Sequence, residues 1–186
     1  MPYFNSFRKT YTSVYNIKAD VALSVYGEMS FDKIKEKFQK ADFLYIGGGD
    51  TVFMIEHWKK TGLLGLIEDA YERGVIVCGL SAGAICWFEN MYTDSALIGI
   101  GENYSIYSGL GWIKSTISPH YGLRMLDFDR IILYNSKDAV GLEDCSAIEI
   151  TDGKIVRSIS CGGNAYFLHP KDGKVEKTLI EPCIRL

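Results

Sequence analysis

Apolar residues at helical spacing alternate, through the first half of the chain, with short apolar runs that end in glycine. Phe4, Phe7, Tyr11, Val14 and Tyr15 predict an amphipathic helix over residues 2–16, and Val21 to Tyr26 predicts a short strand. Ser30 is placed as the N-cap of a helix with Phe31, Ile34, Phe38 and Ala41 on one side. Lys33, Lys37 and Lys40 form its solvated face. Phe43 to Ile46 reads as a buried strand running into Gly47-Gly48-Gly49, after which Asp50 or Thr51 starts a helix carrying Met54, Ile55 and Trp58. Leu63, Leu66, Ile67, Ala70 and Tyr71 keep the helical period until Gly74, a C-cap, and Val75 to Cys78 is a second buried strand.

From Ala96 onward the pattern changes to short β-like pieces, with a strand at Ile113 to Ile117 and one helix-like stretch at Met125 to Tyr134. The part after Ala139 reads as a meander with turns at Asp152-Gly153 and Asp172-Gly173. Alternating strands and helices followed by short strands predict a three-layer α/β fold, its sheet parallel in the first half and mixed later. No linker or internal repeat interrupts it, so residues 1–186 are expected to form a single domain.

Composition narrows the partners. The net charge is −3 with no block of like charge, which leaves no electrostatic footprint for nucleic acid or an acidic membrane surface. With 186 residues the chain should bury roughly 70% of its unfolded surface, enough to fold without disulfides or a structural metal. Cys78, Cys86, Cys145, Cys161 and Cys183 form no CxxC pair and have no histidine at zinc spacing. No signal-peptide pattern opens the chain, and no apolar run has the length of a membrane span, so a reduced, cytoplasmic setting and a small partner are expected.

The sharpest chemical signal is Gly79-Leu80-Ser81-Ala82-Gly83, a GxSxG pentad between a predicted strand and a predicted helix. A nucleophile elbow needs small residues two before and two after its serine, because the strained turn leaves no room for side chains there. The helix dipole and the Ala82 N–H would favour a nearby oxyanion. The bland alternative is a glycine-rich turn with an ordinary capping serine. A serine hydroxyl needs a base, and of the three histidines His57 lies within a predicted helix and His169 in a late turn, both read as surface residues. His120 follows a strand in Ser118-Pro119-His120-Tyr121, at the carboxyl end of the sheet where Ser81 also lies. Gly47-Gly48-Gly49 ends a strand at the same edge. It reads as a tight turn, a phosphate cradle or, beside an elbow serine, a source of oxyanion N–H donors.

GGGDT at 47–51, GLSAGA at 79–84 and SPHY at 118–121 together resemble the signatures of the peptidase E family, which includes aspartyl dipeptidase and its relative cyanophycinase. The resemblance spans most of the chain and implies an αβα sandwich with a mostly parallel sheet, related to class I glutamine amidotransferases, with serine where those enzymes carry cysteine. It implies Ser81 as nucleophile, His120 as general base, and the N–H groups of Gly48 and Ala82 as oxyanion donors, with Gly49 and Asp50 beside them in the substrate cleft. No metal or cofactor is implied. For the third member it points first to Asp94, with Asp144 or Glu143 in Gly141-Leu142-Glu143-Asp144 as the alternative acid.

Two departures stand out. Members of that family usually open on a strand, and this chain starts at the helix expected after it. The first family strand is then missing, which would leave a sheet edge free for self-association into a homodimer. Asp50 stands where many such peptidases have Asn, and its charge would disfavour an acidic substrate side chain unless Arg124 or Lys114 offsets it. The expected function is therefore a serine peptidase acting on a short peptide such as a dipeptide. The alternative is a non-catalytic member that keeps the pocket as a small-molecule or protein-binding module. Glutamine amidotransfer is disfavoured, because Cys78 and Cys86 lie off the tip of the elbow.

Overall fold

The computed structural model of the protein describes residues 2–95 and 104–185. The expected β-like texture at 96–103 lies outside the described residues. The chain divides into two compact units, one taking the segment up to Leu44 with Lys60–Ile76 and the other Tyr45–Lys59 with everything from Val77 onward.

The first unit is helical. Helix α1 (Pro2–Tyr15) carries a ladder of aromatic rings, Phe7 stacked on Tyr11 at 4.2 Å and Tyr11 against Tyr15 at 5.7 Å. Helix α2 (Phe31–Gln39) follows Ser30, whose backbone is extended as an N-cap's should be but whose side chain makes no capping hydrogen bond. It buries Ile34 and Phe38, and helix α4 (Leu63–Glu72) buries Leu63, Leu66, Ile67 and Ala70. The end of α4 is a Schellman motif. Gly74 N–H donates to Tyr71 O at 2.9 Å and Val75 N–H to Ala70 O at 3.0 Å, with Gly74 at φ +86°. Arg73 Nη2 donates to Phe38 O at 3.1 Å, tying α4 to α2.

The strand expected at Val21 to Tyr26 does not form. The backbone donors there are taken locally, Val21 N–H by Asp20 Oδ1 at 2.8 Å and Tyr26 N–H by Glu28 Oε2 at 3.1 Å. Nearby carboxylates thus replace a neighbouring strand as partners.

Between the α2 and α4 segments run strand β1 (Phe43–Ile46) and helix α3 (Thr51–Thr61), and after α4 comes strand β2 (Ile76–Gly79), which pairs with β1 in a two-stranded sheet. Helix α5 (Ala82–Ile85) then leads into strand β3 (Phe88–Thr93). The second unit continues with β4 (Ser105–Ser108), β5 (Ile113–Pro119), helix α6 (Tyr121–Asn135), β6 (Ala139–Leu142), β7 (Ser146–Thr151), β8 (Lys154–Ser160), β9 (Ala165–Lys171), β10 (Lys174–Leu179) and β11 (Pro182–Arg185). Six strands form one sheet in the order β10-β9-β6-β5-β3-β4, and β11-β8-β7 form another.

The six-stranded sheet is parallel only at its centre, β3 with β5 and β5 with β6; β4, β9 and β10 join it antiparallel. The two expected turns after Ala139 form, but the strands do not run as a meander: β6 pairs with β9, while the β7–β8 hairpin belongs to the second sheet. Thr151 faces Lys154 around Asp152-Gly153, and Lys171 faces Lys174 around Asp172-Gly173, each two-residue turn having positive φ at both positions. Helix α6 begins earlier than its periodicity predicts, directly after His120, because Tyr121 is buried in its first turn. Tyr121, Tyr92, Phe128, Ile132, Ala139 and Leu168 make one core cluster between α6 and the sheet. Tyr92 stacks on Phe128 at 5.0 Å, and Tyr121 meets Phe128 edge-on at 6.2 Å. The Tyr121 hydroxyl donates to Asp129 at 2.8 Å, and burial with that carboxylate pushes the phenol's pKa well up.

Phe128 is fully buried in that cluster, so Phe128→Ala should lower unfolding stability by about 3–5 kcal/mol, read from chemical denaturation midpoints. Gly65 in α4 is exposed and a Cβ there would meet nothing within 4 Å, so Gly65→Ala should raise stability by up to about 1 kcal/mol in the same assay.

Candidate active site

Ser81 sits at the corner between β2 and α5 with φ 52° and ψ −113°, a conformation side-chain-bearing residues rarely adopt. The packing around it explains the two flanking glycines. A Cβ on Gly79 would lie 2.2 Å from Gly83 O, and one on Gly83 would lie 2.3 Å from Ile46 O. Leu80 N–H donates to the same Ile46 carbonyl at 3.0 Å, and Trp87 Nε1–H donates to Gly83 O at 2.8 Å. The turn is therefore clamped from both sides by backbone that only glycine can approach.

The expected helix after the elbow is only the four residues of α5. A single turn has almost no macrodipole, so anion stabilisation here rests on individual backbone N–H groups. Among the described residues, the N–H groups of Gly48, Gly49 and Ala82 donate to no other residue. Gly48 lies against the serine, the position of a Cβ on it being 3.3 Å from Ser81 Cβ and 3.8 Å from Ser81 Oγ.

His120 follows β5 in the left-handed conformation, φ 52° and ψ 37°. The buried Tyr121 ring fixes the next residue against Gly141 of β6, whose absent side chain leaves the room: a Cβ there would lie 2.7 Å from the ring. The turned backbone directs the imidazole to both partners at once. Ser81 Oγ lies 3.1 Å from His120 Nε2, and His120 Nδ1 lies 2.5 Å from Asp144 Oδ1. Since a carboxylate can only accept, Nδ1 carries the proton and Nε2 presents its lone pair to the serine hydroxyl. The His120 side chain is 29% exposed and that of Asp144 58%.

The structure thus brings Asp144, rather than Asp94, to the imidazole. Strand β6 runs parallel to β5 with Pro119 opposite Leu142, so the chain leaving β6 arrives beside His120. Asp94 follows β3 on the other flank of β5, and makes no hydrogen bond to His120. Its Oδ1 accepts from the Thr93 hydroxyl at 3.5 Å, while Ser95 Oγ accepts from the N–H groups of Thr51 and Val52 at 3.1 and 3.3 Å. Glu143 turns away to Asn164 N–H, which donates to its Oε2 at 2.9 Å. Asp50 is the N-cap of α3, its Oδ1 accepting from Phe53 N–H at 3.0 Å.

Arg124 donates to Tyr92 O at 3.2 Å and stacks over Tyr104 at 4.4 Å. Lys114 lies near the start of β5, in a groove shared with Glu89, Asn90, Thr116 and Asp138, so it does not offset Asp50 at the carboxyl edge. His57 stacks on Phe53 at 5.8 Å, and the exposed His169 meets Asp138 at 2.5 Å; neither takes part in the Ser81 arrangement. The role of Gly163 was not visible in the sequence, since its approach to the Asp144 backbone depends on a loop distant along the chain.

The model of the family described as peptidase family S51 matches residues 1–158. The uncharacterized peptidase YgaJ of Bacillus subtilis is 45% identical over 80 residues, 43% of this chain and 33% of the relative. The uncharacterized peptidase Lmo0363 of Listeria monocytogenes is 32% identical over 94 residues, 50% of this chain and 46% of the relative. Peptidase E of Salmonella arizonae is 29% identical over 86 residues, 46% of this chain and 37% of the relative. The matched stretches therefore span less than half the length of these curated relatives. A solved structure of a peptidase E-like protein from Listeria monocytogenes superposes with a TM-score of 0.48 and 22% identity, covering 82% of this chain and 67% of that one.

The cysteines beside the elbow are packing residues. Burial pushes the Cys78 thiol's pKa up, and that of the fully buried Cys86 much further. Alkylation by iodoacetamide at pH 8 should therefore reach the exposed Cys145 and Cys161 while sparing Cys78 and Cys86. Because a raised pKa delays thiolate formation, raising the pH should bring in Cys78 before Cys86, as read by peptide mass mapping.

Proposed function

Because the chain belongs to peptidase family S51, we propose that it is a serine peptidase of the peptidase E type that hydrolyses short peptides, such as dipeptides or isopeptide-like amides, through a covalent acyl-enzyme. The observation that carries this reading is the hydrogen-bonded line from Ser81 through His120 to Asp144, built on a strained glycine-flanked turn. The same reading takes the mixed α/β fold as an αβα sandwich akin to class I glutamine amidotransferases, with serine in place of their cysteine.

In the proposed reaction Ser81 Oγ attacks the scissile carbonyl carbon while His120 Nε2 takes its proton. Asp144 holds the imidazole in the tautomer that accepts at Nε2 and stabilises the imidazolium that forms. The reading takes the N–H groups of Gly48 and Ala82 as donors to the developing oxyanion, supported by their donating to no other described residue and by the closeness of Gly48 to Ser81. Collapse of the tetrahedral intermediate breaks the C–N bond as His120 returns the proton to the leaving amine. Water, deprotonated by the same imidazole, then attacks the acyl ester and releases the acid product with Ser81 restored.

Asp144 replaces Asp94 as the proposed third member, because it is the carboxylate in contact with His120. Asp50 remains a negative charge on the glycine loop, so the reading favours neutral over acidic residues before the scissile bond.

Intact mass after incubation with a fluorophosphonate tests the reading without knowledge of the substrate. The wild-type protein should gain one adduct and Ser81→Ala none, while Asp144→Asn should label about a thousandfold or more slower. Asp94→Asn should stay within a few-fold of wild type. A folded wild-type protein that takes no adduct overturns the proposal in favour of a non-catalytic binding module; an adduct justifies a dipeptide screen comparing Asp-X with neutral first residues.

A further inference from the structure

Asp144 is largely exposed, and its one hydrogen bond among the described residues is to His120, so its own side chain has nothing else to aim it. Its aim comes from its two chain neighbours. On one side Glu143 and Asn164 form a closed reciprocal pair: Glu143 N–H donates to Asn164 O at 3.0 Å, and Asn164 N–H donates to Glu143 Oε2 at 2.9 Å. Ser146 Oγ lies 2.7 Å from Glu143 O and 3.1 Å from Asn164 O, and its hydroxyl proton closes the ring. On the other side Cys145 O accepts from Cys161 N–H at 2.8 Å and from Gly163 N–H at 3.3 Å. The loop they belong to presses on Asp144 itself, since a Cβ on Gly163 would lie 1.8 Å from Asp144 O.

Every one of those bonds except one is made by backbone or by a neutral hydroxyl. The exception is the Glu143 carboxylate, a charge-assisted acceptor and the strongest single tie between the Asp144 turn and the 161–164 loop. Glu143 does not hydrogen-bond to His120 and cannot orient the imidazole directly. We propose that Glu143 is a positioning residue, whose carboxylate grips the Asn164 N–H and so fixes the turn that aims Asp144 at His120. This rests on the reading of Asp144 as the orienting acid.

The experiment compares the rate of fluorophosphonate labelling of Ser81 in the full chain for wild type, Glu143→Ala, Glu143→Gln, Asp144→Asn and the double variant Glu143→Ala/Asp144→Asn. A loosened Asp144 predicts Glu143→Ala about ten to a hundredfold slower than wild type. Glu143→Gln keeps an oxygen acceptor for the Asn164 N–H and should recover most of that loss. In the Asp144→Asn background, Glu143→Ala should cost nothing further, because a residue acting only through Asp144 has nothing left to position. Ser146→Ala, which removes only the hydroxyl of the ring, should show the same silence in that background and serves where Glu143→Ala does not fold.

A wild-type rate for Glu143→Ala overturns the proposal. So does a Gln variant as slow as the Ala one, or a double variant whose losses multiply, as a generally structural role would produce. If Asp144→Asn itself labels at the wild-type rate, the orienting role of Asp144 fails and Glu143's with it, a result distinct from the failures of Glu143 alone.

Discussion

The candidate site depends on how closely the backbone of the elbow approaches the carbonyl of Ile46. Gly83 meets that oxygen at a distance no side chain tolerates, and Leu80 N–H bonds to it, so the end of β1 and the turn after β2 are locked together. The glycine loop that follows Ile46 is thereby delivered beside Ser81, and with it the Gly48 N–H, which has no acceptor among the described residues. One close contact thus places both the candidate nucleophile and one of the candidate oxyanion donors. Any Cβ at 79 or 83 would have to push the strands apart to be accommodated, and would separate the two parts of the site in doing so.

The second half of the arrangement is set by register. The parallel pairing of β5 with β6 makes Pro119 and Leu142 neighbours, so the chains leaving both strands emerge side by side. His120 and Asp144 need only short turns from there to meet. The buried Tyr121 under α6, accommodated by Gly141, prevents the first of those turns from sliding. Core packing and candidate chemistry are in this way adjacent residues on one strand end, and the stability of the Tyr92, Tyr121 and Phe128 cluster is what keeps the imidazole in place.

What could be read beforehand follows the range of the interactions. The GxSxG turn, the glycine loop and the Pro-His corner are local patterns with steric causes, and the residues they single out do meet in space: Ser81, His120 and Gly48 lie together. The two hairpins were legible for the same reason, each being announced by an Asp-Gly pair. The choice between Asp94 and Asp144 was not legible, because it depends on which flank of β5 the imidazole faces, a property of the left-handed turn at His120 and not of either carboxylate's neighbours in the chain. The strand expected at Val21 to Tyr26 failed on a similar point. Its composition suits a sheet, but nearby Asp20 and Glu28 satisfy donors that a strand would have offered to a partner.

Backbone strain is distributed unevenly, and its distribution bears on where the chemistry lies. Among the described residues, seven non-glycine residues have positive φ: Asn16, Ser81, His120, Ser136, Cys145, Asp152 and Asp172. Four have conventional reasons, since Asn16 and Ser136 terminate helices and the two aspartates sit in two-residue hairpin turns. The other three are Ser81, His120 and Cys145, the last directly following Asp144. Each costs on the order of 1–3 kcal/mol and persists only where its surroundings over-determine it. Here they do, through the glycine clamp at Ser81, the buried ring after His120 and the two amides on the Cys145 carbonyl. A plain loop edge would relax such corners one by one; three held corners converging on one hydrogen-bonded line are what a preorganised nucleophile requires.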